Sequence, residues 1–511
     1  MGILTDSTTV DTLFFLVVLV YLLYSLYTKD FLKWEKLGIF YLKPSFPFGS
    51  MYELYVKRKP KFLILQDFYW KFKAQNVPYG GYFQLNEPEL MIVDPGLLKH
   101  ILITDFSSFQ DRGLSSVNVD KEPIIRHLFS IDGARWKPMR QKVTPTFSSG
   151  KIKFMFETIK ACSHDLRAHL DSNLSESCDI IDVKTMCESY TLDVIGSCAF
   201  GLDVHCLRNP QDEFRTAALG MFNRSYTTLL NSIVLKTCPT IAQSLGFKQI
   251  GRDTTRFFTQ LVTQNVEYRE KNNVHRQDFL NLLMELKNKR GEHGTGTEDL
   301  AITMDLIVSN VFIFFIAGFH TSAFAMSLCL VELANNKQIQ DKLREEIIGV
   351  LKESGGQVTY ENIKAMSYLD KVAKETLRKY PSVTQLNRRS TRPYTLPGSK
   401  VTIETRTRII VPVYAIHHDP AHYPNPDVFD PERFEPSQVA ARPPFTYLPF
   451  GDGPRNCIGL RFGTLQFKLG IISALCHHEF LPLDTPEERN YHPDTLMMIA
   501  ANVRLRARKL N

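Results

Sequence analysis

Phe450-Gly451-Asp452-Gly453-Pro454-Arg455-Asn456-Cys457-Ile458-Gly459 is a glycine-rich loop that delivers one cysteine to the start of a helical stretch. Each part has a physical job. Gly453 and Gly459 permit tight turning and close backbone approach to a flat group, and Arg455 offers a fork of donors to a carboxylate. Backbone N–H groups near a helix N-terminus stabilise a thiolate at Cys457, the form of cysteine that binds metal. The nine cysteines form an odd set with no C-x-x-C pair, which argues against a disulfide framework or a zinc knuckle and fits a reducing compartment.

Outward from this loop, the chain reads as one large body. Its 511 residues are 44% hydrophobic and 23% charged, with no long Pro, Gly or Ser tract to divide them. The net charge of +7 is modest and dispersed, so nucleic acid is a poor partner and a membrane surface or an acidic protein a better one. Thr12 to Thr28 is uncharged and apolar, long enough to span a bilayer. Asp6 and Asp11 precede it, and Lys29, Lys33, Lys36 and Lys43 follow it, which places the following body in the cytosol. The alternatives are a cleaved signal peptide or a buried helix. The expected division is an anchor over 1–28, a stalk and proline-containing hinge over 29–49 around Pro44 and Pro47, and a catalytic domain over 50–511. The sequons at Asn173 and Asn223 would then face away from the glycosylation machinery.

The middle of the chain is mostly helical in its apolar spacing, for example Phe279, Leu282, Leu283 and Leu286. The polar run Lys287 to Glu298 reads as a surface loop opening onto a long apolar helix from about Leu300 to Ala334, around 50 Å at ~1.5 Å per residue. That helix carries Ala317-Gly318-Phe319-His320-Thr321: Gly318 weakens the helical ladder, and the Thr321 hydroxyl can reach the Ala317 carbonyl one turn back. A further helix is expected from Tyr360 to Tyr380, with Glu375 and Arg378 on one face. Such a pair alone is common on helix surfaces. Trp136 and Arg140 sit one helical turn apart. Strand-like pieces are expected at Tyr82 to Val93 and from Arg392 to Val413.

The F-x-x-G-x-R-x-C-x-G pattern of Phe450 to Gly459 resembles the haem-binding signature of the cytochrome P-450 superfamily, and the resemblance covers essentially the whole chain after the anchor. It implies a mainly α fold with small β-sheets and haem b held between the long central helix and the cysteine loop. Cys457 would be the fifth ligand of the iron, its thiolate promoting heterolytic O–O cleavage. Phe450, Gly453, Arg455, Gly459, Trp136, Arg140 and Arg388 would hold the cofactor, although Arg389 beside Arg388 blurs that assignment. Glu375, Arg378 and Arg433, the last from Pro431-Glu432-Arg433-Phe434, match the family's structural charge network.

The Ala317, Gly318 and Thr321 positions resemble the family's oxygen-binding pattern, with His320 standing where relatives carry Asp or Glu. His320 is then either a proton relay or a packed histidine. Substrate contact is expected from Leu114 to Ile125, from Phe312, Phe315 and Ile316, from Val383 to Leu386, and from Met497 and Met498. Phe106 to Gly113, Ala199 to Asp203 and Leu386 to Arg388 narrow the resemblance to insect microsomal detoxification enzymes. The implied reaction inserts one atom of dioxygen into a hydrophobic small molecule, with electrons from NADPH through a flavoprotein reductase and cytochrome b5 as an optional second donor. Arg135, Lys137, Lys142 and Arg461 would meet the reductase, on an endoplasmic reticulum membrane with the catalytic domain facing the cytosol. Two rival classes share the cysteine: a haem-thiolate isomerase or dehydratase, and a haem sensor.

Overall fold

The computed structural model describes the chain except for residues 1–6, 115–117, 175–178, 222–225, 277, 289–301, 486–489, 494–495, 501 and 511. Most of the expected loop after Lys287, part of the variable 114–125 segment and Asn223 therefore lie outside the described residues. The elements that position the site are α1 (Thr8–Thr28), β1 (Tyr79–Gln84), β2 (Glu87–Ile92), α2 (Trp136–Val143), α3 (Ser149–Asn173), β3 (Asp179–Asp182), α4 (Val183–Ile195), α5 (Arg252–Asn272), α6 (Met304–Asn335), α7 (Ser367–Lys379), β4 (Leu386–Arg389), β5 (Arg408–Val411), α8 (Val413–His417), α9 (Leu460–Leu475), β6 (His478–Leu481) and β7 (Arg504–Lys509). Helices form the bulk. One sheet runs β1-β2-β5-β4, with β2 and β5 parallel and the other neighbours antiparallel, and a second runs β3-β7-β6.

The α6 helix is the axis of the larger core. Thr303 caps it by accepting from Leu306 N–H, and nearly every side chain along it is buried, so it is held by packing on all sides rather than by one apolar stripe. Two glycines set how closely its neighbours approach. A Cβ on Gly318 would stand 2.3 Å from Ile195 of α4, and one on Gly470 of α9 would stand 2.2 Å from Met326 of α6. A larger residue at either position would force the facing side chain, Ile195 or Met326, to move.

By contrast α1 is long and apolar enough to cross a membrane and leaves its side chains exposed. The stretch that follows it does not stand clear of the body. Trp34 is fully buried and donates to Tyr82 O at 3.3 Å, and Phe46 packs its ring on Tyr24 and Tyr27.

The helix expected from Tyr360 to Tyr380 is two helices, Tyr360–Ala365 and α7, broken at Met366. The reason lies outside the segment: Glu346 accepts from Tyr368 N–H at 2.7 Å and Leu369 N–H at 2.8 Å, satisfying the first turn of α7. The strand-like piece at 82–93 is a hairpin of two strands.

On α7, Arg378 holds Glu375 through two hydrogen bonds of 2.7 and 2.9 Å, both side chains with no exposure. Arg433 Nε lies 3.4 Å from the same carboxylate. Arg378 also donates to the carbonyls of His417 and Pro426. From there the chain of contacts continues: His417 Nε2 accepts from Leu448 N–H at 2.8 Å, so its proton sits on Nδ1, which faces Arg378 O at 3.1 Å. Leu448 opens the cysteine loop. Replacing Arg378 by Ala would leave Glu375 buried and unpaired at a cost of about 3–5 kcal/mol. The expected outcome of Arg378→Ala is a lower denaturation midpoint with loss of bound cofactor. A stable, fully loaded Glu375→Ala protein would show that the network does not carry the scaffold.

Candidate functional site

The cysteine loop is wound by its own backbone. Cys457 N–H donates to Phe450 O at 2.8 Å and Asn456 N–H to Gly453 O at 3.0 Å, while Gly451 and Gly453 take φ of +67° and +72°. A Cβ on Gly453 would lie 1.9 Å from Leu102 O. Glycine is therefore required there by the neighbouring chain rather than by a cofactor, and Gly453 is not on the cavity wall. Gly459, at the N-terminus of α9, does reach the wall, and its missing side chain leaves the sulfur uncovered, with a notional Cβ 4.0 Å away.

The sulfur opens onto a mostly apolar cavity between α6 and the loop. It is exposed toward that cavity and deep within the protein otherwise. Burial raises its pKa, and Gly459 N–H together with the charges of Arg112 and Arg140 pulls it back.

Four arginines converge on the same cavity. Arg455 is buried, donates to Ile131 O, and stacks 4.7 Å from the Trp136 ring. Arg112 donates to Phe129 O and Arg455 O at 3.1 and 2.9 Å. Arg140 holds both oxygens of Asn456, at 3.1 and 2.9 Å. Arg388 donates only to Asn387 O, at 2.9 Å. Its neighbour Arg389 turns the other way, onto Asp132 and Asp111, which resolves the ambiguity between them.

Among the described residues Asp132 is the only carboxylate paired with any of the four. Arg388 Nε and Arg455 Nε and Nη1 are buried without a hydrogen-bond partner among the described residues. Burial lowers all four pKa values, those of Arg388 and Arg455 to about 10, and neighbouring arginine charges lower Arg112, Arg388 and Arg455 further. Surplus donors and positive charge beside a cysteine fit a haem, whose two carboxylates would meet Arg112, Arg140, Arg388 and Arg455 while Cys457 met the metal. Arg112 and Asn456 were missed as site residues from sequence; Arg112 lies in the Phe106 to Gly113 stretch, whose spacing gives no hint of its direction.

On α6 the cavity face is Asn310, Ile313, Phe314, Ala317, Gly318 and Thr321. The Thr321 hydroxyl donates to Ala317 O at 2.6 Å. Phe312, Phe315 and Ile316, expected to touch substrate, lie off this wall. Phe312 and Phe315 pack instead in an aromatic cluster with Phe258 of α5, and Phe315 also with Phe200 and Phe214. At ~100° per residue they point away from the face that carries Ile313 and Ala317. Val383 and Leu386 line the cavity; Met498 is buried behind it, and Leu496 takes its expected place on the wall.

His320 is also rotated off the wall. It is buried against α4, its Nδ1 3.8 Å from Glu188 Oε1, with Lys184 3.7 Å from that oxygen. Burial, then the Lys184 charge, pushes its pKa down to about 4. This position supports the packed-histidine alternative over the proton relay.

Two outcomes follow for this wall. Ile313→Ala should change the order of preference among substrates at little cost in stability, whereas Phe315→Ala should cost about 3–5 kcal/mol and leave that order intact. Substrate-induced spectra and denaturant titrations distinguish them. For His320 the unfolded chain takes up a proton near pH 6.5 and the folded chain only near 4, so its contribution is present above about pH 6.5 and lost as pH falls toward 4. His320→Gln should flatten that part of the stability profile and leave product formed per NADPH unchanged. A drop in product per NADPH would return the histidine to the reaction.

The cytochrome P-450 family model matches residues 46–506. Among similar proteins, cytochrome P-450 6a2 of Drosophila melanogaster is 40% identical over 492 residues, covering 95% of this chain and 97% of its own. Cytochrome P-450 6k1 of Blattella germanica is 36% identical over 497 residues, covering 94% of each. With the cysteine loop, the cationic cavity and this match along nearly its whole length, the chain belongs to the cytochrome P-450 family and is a haem-dependent monooxygenase.

Proposed function

We propose that the protein inserts one atom of dioxygen into a hydrophobic small molecule, a xenobiotic or a lipid-like endogenous compound, with electrons from NADPH delivered by a flavoprotein reductase. The observation that carries this reading is the make-up of the cavity: the Cys457 sulfur and the four arginines on one side, and on the other the Thr321 hydroxyl beside apolar side chains that include Ile313, Phe314, Phe147, Leu377 and Leu386. A family member of this type needs a redox partner and a small-molecule substrate, and haem b with a thiolate ligand supplies the activation of dioxygen.

The protein's own residues supply the rest. The apolar wall selects apolar ligands by excluding water. Asn310 is tied to Leu128 N–H at 3.2 Å and Leu306 O at 2.8 Å, which keeps its amide from competing for the ligand. Thr321 holds its hydroxyl proton on Ala317 O and, on rotation about χ1, presents that donor to the cavity. A threonine placed so favours monooxygenation over the isomerase and sensor readings, neither of which requires it.

For the reductase, Arg135, Lys137 and Arg461 are exposed around α2 and the N-terminus of α9, on the side from which Arg140 reaches the cysteine loop. An acidic flavoprotein surface, and cytochrome b5 as a second donor, suit that charge. The α1 helix supports anchoring in the endoplasmic reticulum membrane with the body in the cytosol. Glycosylation at Asn173 in native membranes would contradict that side.

The test uses the full-length protein with reductase. Wild type should show the thiolate haem spectrum with carbon monoxide and consume NADPH and oxygen with an apolar substrate. Cys457→Ala should lose that spectrum, and Cys329→Ala and Cys476→Ala should keep it. Substrate turnover without NADPH or oxygen would favour the isomerase reading instead.

A further inference from the structure

We propose that Asp132 is a positioning residue that aims three of the cavity's arginines through one carboxylate. Its Oδ1 accepts from Arg112 N–H at 2.8 Å and faces Arg455 Nη2 at 3.4 Å; its Oδ2 accepts from Gly113 N–H at 2.9 Å and faces Arg389 Nη2 at 3.2 Å. Each contact fixes a different arginine. The backbone bonds hold the turn from which the Arg112 side chain departs, and Gly113, with φ of +61°, lets that turn lie against Arg389. The Arg455 contact ties the cysteine loop to the same point. The Arg389 contact acts through the strand: on β4 successive side chains point to opposite sides, so holding Arg389 on the acids sends Arg388 into the cavity.

Asp111 sits beside this carboxylate and provides an internal comparison. It accepts from Gly133 N–H at 2.7 Å and lies 3.5 Å from Arg389, but it makes no described hydrogen bond or ion pair with Arg455 or the Arg112 backbone. It stitches the two loops together and shares Arg389, but reaches neither the Arg112 turn nor Arg455 through a described hydrogen bond or ion pair. Asp132 reaches both.

The inference rests on the cavity being a haem site, and its test separates the two. In detergent-solubilised, full-length, haem-loaded protein, haem transfer to excess apomyoglobin and the reduction midpoint are measured for wild type and for the Asp132→Asn, Asp132→Glu and Asp111→Asn variants. A partner of this kind is typically worth ~10-fold or more in cofactor retention. Asp132→Asn should therefore lose haem about tenfold faster, with a higher midpoint, because a carboxylate beside Arg455 has become neutral and the added positive charge favours the reduced state.

Asp132→Glu keeps the charge and moves it, so its midpoint should match wild type while haem is lost faster. Asp111→Asn should change both quantities less than Asp132→Asn. Equal effects of Asp111→Asn and Asp132→Asn, or wild-type values in the latter, would overturn the proposal. If Asp132→Asn fails to fold, Asp132→Glu decides: wild-type haem loss overturns it. Absence of bound haem in wild type would instead sink the reading of the cavity.

Discussion

The Glu375–Arg378 pair is the fixed point from which the rest of the site is measured. Two charges with no exposure are tolerable only when each is fully engaged, and here the engagement runs outward. Glu375 also accepts from Asp430 N–H at 3.0 Å, and Arg378 reaches two backbone carbonyls. Burial pushes the Glu375 carboxyl up, and Arg378 pulls it back. Through His417 the same pair sets Leu448, and the loop from Leu448 to Cys457 then closes on its own backbone. An ion pair with no access to the cavity thus fixes the height at which a sulfur enters it.

The cavity itself opposes two tendencies. Four guanidinium groups with one paired carboxylate among the described residues repel one another, and burial holds the thiol against ionisation. A haem would lower both costs: its carboxylates would give the arginines partners, and its metal would take the place of the proton on Cys457. The protein alone bears the strain of the site, and the cofactor relieves it.

Much of this was legible in the sequence because the cysteine loop, Trp136–Arg140 and Glu375–Arg378 depend on local spacing. What was illegible has physical causes. On α6 most residues are buried, so the helix has no apolar stripe from which its phase could be read, and Phe312, Phe315 and Ile316, expected to face substrate, stand about a third to half a turn off the cavity wall. Gly453 announces that something approaches closely, but sequence cannot say that it is Leu102 O. The break at Met366 depends on Glu346, a residue outside both helices it separates. Arg112 and Asp132 matter through contacts that no local pattern encodes.

Those contacts carry one more consequence. Arg112 meets Arg455 across 343 positions of sequence, and Arg140 meets Asn456 across 316. A ribosome therefore releases most of the helical body before the last strip of cationic wall exists. Completion of the cationic wall therefore depends on contacts of very long sequence separation, the kind that form late in folding.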